Sequence, residues 1–266
     1  MKCVSIDLDG TLLDTKHQIS KENEVVISQL KEKGIEVILN TGRAYKDVVK
    51  IPEVQDLNCP IFCLNGSMMY APTGELLYET NLSFALYNRL IKTLQHLNVG
   101  ILVYTNQGGF PATLPNLRGK TNEEIQEMFD RTDYVHIPHI ENIKIYKLIA
   151  WVPNEQKDTI QLVRESVKNE ESISFSSSFP NNLEITSVEA QKGKAIRRYE
   201  EIKQVSFDEI YSFGDGGNDV SQFEVSTVSF AMENAPDEIK QKATNTTKSN
   251  DEDGVAHAIK HILKLV

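Results

Sequence analysis

Two aspartates near the beginning of the chain, Asp7 and Asp9, have the residue type and the spacing of paired metal ligands. They follow a short apolar run in which Ser5 is the only polar residue between Cys3 and Ile6, a pattern that predicts a buried parallel strand. Alternate side chains of an extended backbone share a face, so the two carboxylates project together. Neighbouring anions repel unless a cation or a proton lies between them, and Mg²⁺ prefers oxygen ligands. The pattern therefore predicts either a magnesium site or a strand that ends in a polar turn.

Other clusters of polar residues follow apolar runs or stand at the start of a predicted helix. Asp215, Asn218 and Asp219 come after an apolar run at 209–213, although their glycine-rich sequence is by itself typical of a flexible turn. Three acidic residues for a metal, together with hydroxyl, amide and ammonium groups for an anion, make a phosphoryl-transfer site. The remaining clusters are Thr41-Gly42-Arg43 and Lys192-Gly193.

An alternation of strands and helices is expected to bring these clusters together. Strands are predicted at 35–39 and 60–64, and helices are predicted from Ser20 to a stop at Gly34 and over 44–51, ending at Pro52. This alternation predicts an α/β fold with a Rossmann-like, doubly wound parallel sheet. Ligands of such sheets bind beyond the carboxyl ends of the strands, where the polar clusters lie.

The pattern changes between about Leu82 and 187. Short strands are predicted at 99–104, 109–114, 146–152, 173–178 and 183–186, with helices at 84–97, 122–129 and 154–167. The parallel pattern resumes afterwards, with strands at 209–213 and 227–232, a helix starting at Pro236 and a closing helix over 254–265. We therefore expect a core made of 1–81 and 188–266, interrupted by an inserted α+β domain at 82–187.

Composition narrows the class of protein. The chain has 266 residues and a net charge of −10, which argues against sequence-independent nucleic-acid binding. No apolar run approaches the roughly 18 residues of a membrane helix, and the first strand leaves no room for a signal peptide. Three cysteines are too few for a disulfide framework, so we expect a cytoplasmic protein. The sequence does not indicate an oligomeric state.

Four motifs resemble those of the haloacid dehalogenase superfamily: Asp7-Leu8-Asp9-Gly10-Thr11, Thr41-Gly42-Arg43, Lys192-Gly193 and Gly214-Asp215-Gly216-Gly217-Asn218-Asp219. They occur in the order typical of that family. The tail, with Ala231-Met232-Glu233-Asn234-Ala235 and Asp253-Gly254-Val255-Ala256, resembles the Cof-type phosphatases. An insert between the second and third motifs resembles their C2B cap domain in position and size. Ser221-Gln222 departs from the pattern, because these proteins more often carry acidic and Met residues there.

The resemblance implies a role for each motif. Asp7 is expected to attack phosphorus and to form an aspartyl-phosphate, while Asp9 serves the leaving alcohol and then the hydrolytic water as acid and base. Asp219 is expected to orient Lys192 or a metal-bound water. Arg43 either reaches a substrate oxygen or pairs with a neighbouring carboxylate, and both remain open. Mg²⁺ is expected at the Asp7 side chain, the Asp9 carbonyl and Asp215, and the phosphoryl group at Leu8, Thr41, Gly42, Lys192 and Asn218.

The leading hypothesis is a Mg²⁺-dependent phosphatase of small phosphorylated metabolites, such as sugar phosphates or related phosphomonoesters. A phosphohexomutase is an alternative, since mutases share this type of core and cap. A non-catalytic phosphometabolite sensor is a third, which the acidic motifs disfavour because a sensor needs no nucleophile.

Other candidate metal ligands are weaker. His136 and His139 are interpreted as loop residues because Pro138 lies between them, and His257 and His261 as a solvated helix face. Cys59 and Cys63 have no second pair to complete a zinc site.

Overall fold

The structure is a computed structural model that describes residues 1–94, 97, 99–110, 141–152, 157–177 and 181–266. The chain divides into two compact units. We call them the core unit, which comprises Met1–Glu79 and Ala190–Val266, and the inserted unit, Thr80–Glu189. The boundaries expected from the sequence, 82 and 187, lie within the inserted unit.

In chain order, the strands of the described residues are β1 (Lys2–Ile6), β2 (Glu36–Asn40), β3 (Ile61–Cys63), β4 (Met68–Tyr70), β5 (Leu76–Glu79), β6 (Gly100–Thr105), β7 (Gly108–Phe110), β8 (Ile145–Trp151), β9 (Ile173–Ser176), β10 (Asn182–Ser187), β11 (Glu209–Gly214), β12 (Val228–Ala231) and β13 (Asn245–Thr246). The α-helices of the same residues are α1 (Lys21–Glu32), α2 (Tyr45–Val48), α3 (Pro52–Leu57), α4 (Phe84–Leu94), α5 (Thr159–Val167), α6 (Lys192–Lys203), α7 (Val220–Val225), α8 (Asp237–Lys240) and α9 (Gly254–His257).

The core unit contains an eight-stranded sheet in the order β13-β12-β11-β1-β2-β3-β4-β5. The first six strands in this order are parallel, and β4 and β5 add an antiparallel edge that the sequence did not predict. The parallel α/β core is confirmed. Its central strand β1 pairs with β2 on one side and β11 on the other, with Ile6 opposite Leu39 and Phe213. The carboxyl ends of these strands therefore meet at one edge.

Helix α1 begins and ends as its sequence predicts. The side chain of Ser20 accepts a hydrogen bond from the backbone N–H of Asn23, and Gly34 follows the helix with a φ of +73°. Val26, Ile27 and Leu30 form its buried face.

The helix predicted over 44–51 is shorter in the structure. Helix α2 ends at Val48, and Pro52 begins α3 instead of ending the preceding helix. Proline suits the first turn of a helix because the N–H it lacks has no partner there. The closing segment also differs from a single helix, since a π-helical turn at Ala258–Ile262 follows α9.

The inserted unit contains a five-stranded antiparallel sheet in the order β7-β6-β8-β10-β9. Apolar residues of α4 and α5 form one buried cluster with the sheet, and Tyr87, Leu148 and Leu183 belong to it. The expected α+β character is confirmed. The helix predicted over 122–129 and His136 and His139 lie outside the described residues. Within the described part of the chain, no helix is both long and apolar enough to cross a membrane.

Candidate active site

Asp7 lies at the carboxyl end of β1, where its backbone N–H donates to the carbonyl of Phe213 at 3.1 Å. Its side chain is buried, with 5% of the residue exposed. The next residue, Leu8, is buried in the apolar cluster, and its carbonyl accepts the N–H of Leu13 at 2.8 Å. The chain then turns at Gly10, whose φ of +70° suits glycine. This geometry holds one carboxylate inward at the edge of the sheet.

Lys192 is the first residue of α6 and is fully buried. Its Nζ lies 2.5 Å from Oδ1 of Asp7 and 2.6 Å from Oδ1 of Asp219. Burial alone lowers the pKa of Lys192, but the carboxylates of Asp219 and Asp7 outweigh burial and raise it. The ammonium group therefore stays charged and joins the two acidic motifs.

Asp219 accepts hydrogen bonds on both of its oxygens. Oδ1 accepts from Lys192 and from Nε2 of Gln222 at 2.7 Å, while Oδ2 accepts the backbone N–H groups of Asp215 and Gly216, each at 2.9 Å. A Cβ on Gly214 would lie 2.2 Å from Cγ of Asp219, so this loop requires glycine there. These contacts support the expected role of orienting Lys192.

Asp215 completes an acidic cluster in which oxygens of Asp7, Asp215 and Asp219 lie within 4.8 Å of one another. Burial and then the charge of Asp219 raise the pKa of Asp215 to about 7. Burial also raises the pKa of Asp7 well above its usual range, although Lys192 opposes this. The carboxylates thus repel each other at a site that is largely buried from solvent.

The donor set fits a hard dication. Three carboxylates and one ammonium leave a formal charge of −2, which Mg²⁺ balances with the oxygen ligands it prefers. Because four donors already occupy the oxygens of Asp219, Asp7 and Asp215 are the carboxylates of this cluster that could face a metal ion. A Cβ on Gly10 would lie 2.1 Å from Oδ2 of Asp215, so the backbone approaches that carboxylate closely.

Thr41 and Gly42 follow the end of β2, and Asn218 lies close to Gly42. Thr41 is fully buried beyond β2, and its Oγ1 accepts the N–H of Arg43 at 3.1 Å. Nδ2 of Asn218 donates to Oδ1 of Asn65 at 3.0 Å, and a Cβ on Gly42 would lie 3.1 Å from the same oxygen. Gly42 and Asn218, both expected to bind a phosphoryl group, are therefore close neighbours.

Arg43 pairs with Asp9. Its Nε donates to Oδ2 of Asp9 at 2.7 Å, its Nη2 donates to Oδ1, and Nδ1 of His17 lies 3.4 Å from that Nη2. The side chain of Asp9 is 48% exposed, in contrast to buried Asp7. Of the two possibilities left open by the sequence, the structure has the ion pair.

Two asparagines belong to the site but were not predicted. Asn65 has a left-handed backbone, with a φ of 59°, which turns its amide toward Asn218. Nδ2 of Asn234 donates to the carbonyl of Gly10 at 2.9 Å and lies 3.4 Å from Oδ2 of Asp215. The sequence did contain a signal for these two residues, because each asparagine follows the end of a strand. Neither carries a charge that would have drawn attention to it.

Known proteins match this chain in sequence over almost its whole length. A family model described as haloacid dehalogenase-like hydrolase matches residues 4–259. The 5-amino-6-(5-phospho-D-ribitylamino)uracil phosphatase YwtE of Bacillus subtilis is 33% identical, covering 99% of this chain and 98% of its own. Phosphatase YwpJ of the same organism is 30% identical, covering 99% of this chain and 100% of its own.

Solved structures have the same fold. A haloacid dehalogenase-like hydrolase from B. subtilis superposes with a TM-score of 0.85 at 28% identity, covering 98% of this chain and 100% of its own. The subclass IIB sugar phosphatase BT4131 has a TM-score of 0.76 at 20% identity with full coverage of both chains, which is a likeness of fold alone.

The chain belongs to the haloacid dehalogenase-like hydrolase family. Its enzyme class within that family is that of the phosphatases.

Proposed function

We propose that this protein hydrolyses small phosphomonoesters through an aspartyl-phosphate on Asp7. The observation that carries the proposal is the buried ammonium of Lys192, 2.5 Å from Asp7 and 2.6 Å from Asp219. A nucleophilic carboxylate must stay ionised and must approach an anionic phosphate, and a fixed cation beside it serves both needs.

In the first step, an oxygen of Asp7 forms a bond to phosphorus while the bond between phosphorus and the ester oxygen breaks. The departing alkoxide takes a proton from Asp9. The ammonium of Lys192, the hydroxyl of Thr41 and the amide of Asn218 bind the phosphoryl oxygens as charge shifts among them.

In the second step, water attacks the phosphorus of the aspartyl-phosphate and gives its proton to Asp9. The bond between phosphorus and the Asp7 oxygen breaks, which releases inorganic phosphate and restores the carboxylate. Asp9 is held by Arg43 through both of its oxygens, so the pair must open for Asp9 to reach the ester. Its exposed position leaves room for this rotation.

Asp7 and Asp215 are the side chains that would hold Mg²⁺, together with the backbone carbonyl of Asp9. A bound Mg²⁺ supplies charge that offsets the repulsion between the nucleophile and the phosphate. Asp219 contributes indirectly, by holding the backbone of Asp215 and the ammonium of Lys192.

The substrate class is that of small phosphorylated metabolites, such as sugar phosphates and related esters. Two relatives, YwtE at 33% and YcsE at 27% identity, are 5-amino-6-(5-phospho-D-ribitylamino)uracil phosphatases. Their substrate, a phosphate ester of a sugar alcohol, is therefore the first compound to test. All three cysteines, Cys3, Cys59 and Cys63, are buried and free, which supports the reducing cytoplasm as the compartment.

Phosphohexomutase activity is the alternative within enzymes. A mutase returns the phosphoryl group to a sugar, whereas a phosphatase transfers it to water. Measurement of inorganic phosphate alongside sugar phosphate isomers separates the two. A sensor without turnover would release no phosphate at all.

The decisive variant is Asp7→Asn, which keeps the shape of the side chain and removes the attacking anion. Turnover of a phosphomonoester with Mg²⁺ should fall by about 10⁴-fold or more, as for other lost nucleophiles. Phosphate release is the measurement, and circular dichroism verifies that the variant is folded. A variant that kept a tenth of wild-type turnover would show that Asp7 is not the nucleophile.

A further inference from the structure

Three polar side chains that take no part in the proposed reaction are fully buried beside Lys192 and Asp219. Ser5 lies on β1, Asn40 ends β2 and Gln222 lies on α7, each with 0% of the residue exposed. We call them the Ser5–Asn40–Gln222 cluster. Polar residues at such positions are costly to bury, so their contacts require an explanation.

Within the cluster, the side-chain oxygen of Gln222 is the common acceptor. Oγ of Ser5 donates to Oε1 of Gln222 at 2.8 Å, and Nδ2 of Asn40 lies 3.5 Å from the same atom. Nδ2 of Asn40 also lies 3.3 Å from Oγ of Ser5. These donors determine which way the amide of Gln222 points, with its oxygen toward β1 and β2.

The NH₂ group of Gln222 consequently points to the catalytic groups. It donates to Oδ1 of Asp219 at 2.7 Å and to the carbonyl of Phe213 at 3.1 Å. That carbonyl also accepts the backbone N–H of Asp7. Gln222 thus contacts the carboxylate that binds Lys192 and the strand end next to the nucleophile.

Asn40 makes a second connection, because its Nδ2 donates to the backbone carbonyl of Lys192 at 3.1 Å. The cluster therefore contacts the backbone of Lys192 through Asn40. It also contacts Asp219, the partner of the Lys192 ammonium group, through Gln222. Stability alone does not account for this arrangement, since Oδ1 of Asn40 is buried and has no hydrogen-bond partner among the described residues. Apolar side chains would fill the same space without that penalty.

We propose that Gln222, oriented by Ser5 and Asn40, is a positioning residue for the reaction proposed above, on which this inference rests. Its NH₂ group shares Oδ1 of Asp219 with Lys192, so that the ammonium group divides its contacts between Asp219 and Asp7. Without this donor, Asp219 attracts the ammonium group more strongly and withdraws it from the nucleophile. The rate of the chemical step therefore falls more than the affinity for the ester does.

Gln222→Met tests the proposal, because methionine has a similar length and lacks the donor to Asp219. With p-nitrophenyl phosphate and Mg²⁺, kcat should fall by about 10²-fold, the loss expected from a misplaced catalytic group. KM should change by less than about threefold, since Thr41, Gly42 and Asn218 still bind the phosphate. The urea midpoint should also fall, because Ser5 and Asn40 lose their acceptor.

The triple variant Ser5→Ala, Asn40→Leu, Gln222→Met, in which leucine keeps the shape of asparagine, separates positioning from stability. The triple variant removes all three polar groups together, so none of them is left without a hydrogen-bond partner. Its urea midpoint should therefore return toward that of the wild type. Its kcat should stay low, because Asp219 still lacks the amide donor. Recovery of both the midpoint and kcat would overturn the proposal and leave the cluster a purely structural role.

Ser229→Ala is the matched control. Ser229 is also buried in the core unit and exchanges hydrogen bonds with Thr244, away from the acidic cluster. It should lower the urea midpoint and leave kcat unchanged. The wild type and Asp7→Asn are measured in parallel, so absence of turnover in the wild type would refute the phosphatase function itself. Normal wild-type turnover with unchanged kcat in Gln222→Met would refute only the positioning role.

Discussion

The carboxylate of Asp219 illustrates how residues of one type acquire different roles from their partners. An ionised carboxylate has about four positions for donors, and Lys192, Gln222 and two backbone N–H groups occupy those of Asp219. Asp215 instead carries a pKa raised to about 7 by burial and by the charge of Asp219. Its charged form is therefore stabilised by a nearby cation.

We expect Mg²⁺ to stabilise the folded protein through Asp215. A ligand at about ten times its Kd stabilises the folded state by about 1.4 kcal/mol, which raises the melting temperature. Asp215→Asn should abolish this Mg²⁺-dependent shift and turnover together. Calorimetry with and without EDTA measures the shift.

Asp237→Asn is the control for this experiment, because Asp237 is an almost fully exposed carboxylate on α8. It should keep the whole Mg²⁺ effect. An Asp215→Asn protein that still gained stability from Mg²⁺ would show that the ion binds elsewhere.

Asp9→Asn should affect substrates according to their leaving groups. Alkyl phosphates release a basic alkoxide that needs a proton, whereas p-nitrophenolate leaves with little assistance. We expect kcat/KM to fall by about 10²–10⁴-fold for an alkyl ester and much less for the aryl ester. Equal losses on both esters would exclude Asp9 as the acid.

The charged residues of the site were predictable from the sequence, as were Thr41 and Asn218, whereas the contacts of Asn65 and Gln222 were not. Asp7, Lys192 and Asp215 stand at strand and helix ends, and the topology of a parallel sheet brings such ends to one edge. Asn65 acts through a left-handed backbone conformation, and Gln222 through contacts with distant strands. Such contacts depend on folded geometry that local patterns do not encode.

At the level of elements, the approach of α6 to α7 positions Lys192. A Cβ on Gly193 would lie 2.1 Å from the backbone oxygen of Ser221, and Oγ of Ser221 accepts the N–H of Gly193 at 3.2 Å. The helix that begins with Lys192 therefore packs against backbone, which cannot yield as a flexible side chain can.

Gly193→Ala should cost about 1–3 kcal/mol of stability, as other overpacked contacts do, and should lower kcat by moving Lys192. Gly34→Ala is the matched control. Gly34 has a φ of +73°, and no atom of the described residues lies within 4 Å of an added Cβ, so strain alone costs about 1–2 kcal/mol. Urea unfolding and kcat are the measurements. Equal kcat in the two variants would contradict a positioning role for this contact.

The helices and the edge strands also show where local sequence patterns fail to predict the structure. Pro52 is compatible with the end of one helix and with the start of the next, and the sequence alone does not choose. The edge strands β4 and β5 have only three and four residues, too few for a clear alternation pattern. The long helix α1 was predictable because its cap, apolar face and terminal glycine agree.

At the level of the whole molecule, the two units have separate apolar clusters. Oγ1 of Thr80 lies 3.4 Å from Oγ of Ser187, so the chain enters and leaves the inserted unit at neighbouring positions. A short linker can therefore join the two parts of the core unit. We propose that residues near 82 and 187 act as hinges and that the inserted unit selects the substrate.

Replacement of 82–186 by a short linker tests this role. The shortened protein should still hydrolyse p-nitrophenyl phosphate slowly, because the described acidic cluster lies in the core unit. It should lose discrimination among natural phosphate esters, measured as the spread of kcat/KM over a panel. Circular dichroism and thermal melting first verify folding, since the deletion exposes apolar surface. A folded core that ranked the esters as the full-length protein does would refute the proposal.

The central position of β1 has a consequence for the order in which the protein forms during synthesis. Ser5 bonds with Gln222, 217 positions later in the chain, and β1 pairs with β11 from the last part. At roughly 5–20 residues per second, a ribosome needs about 10 to 40 s to make that stretch. The inserted unit is complete earlier and contains its own apolar cluster. The strand that leads to Asp7 thus keeps one edge unpaired until β11 is made, and the acidic cluster is among the last parts of the nascent chain to form.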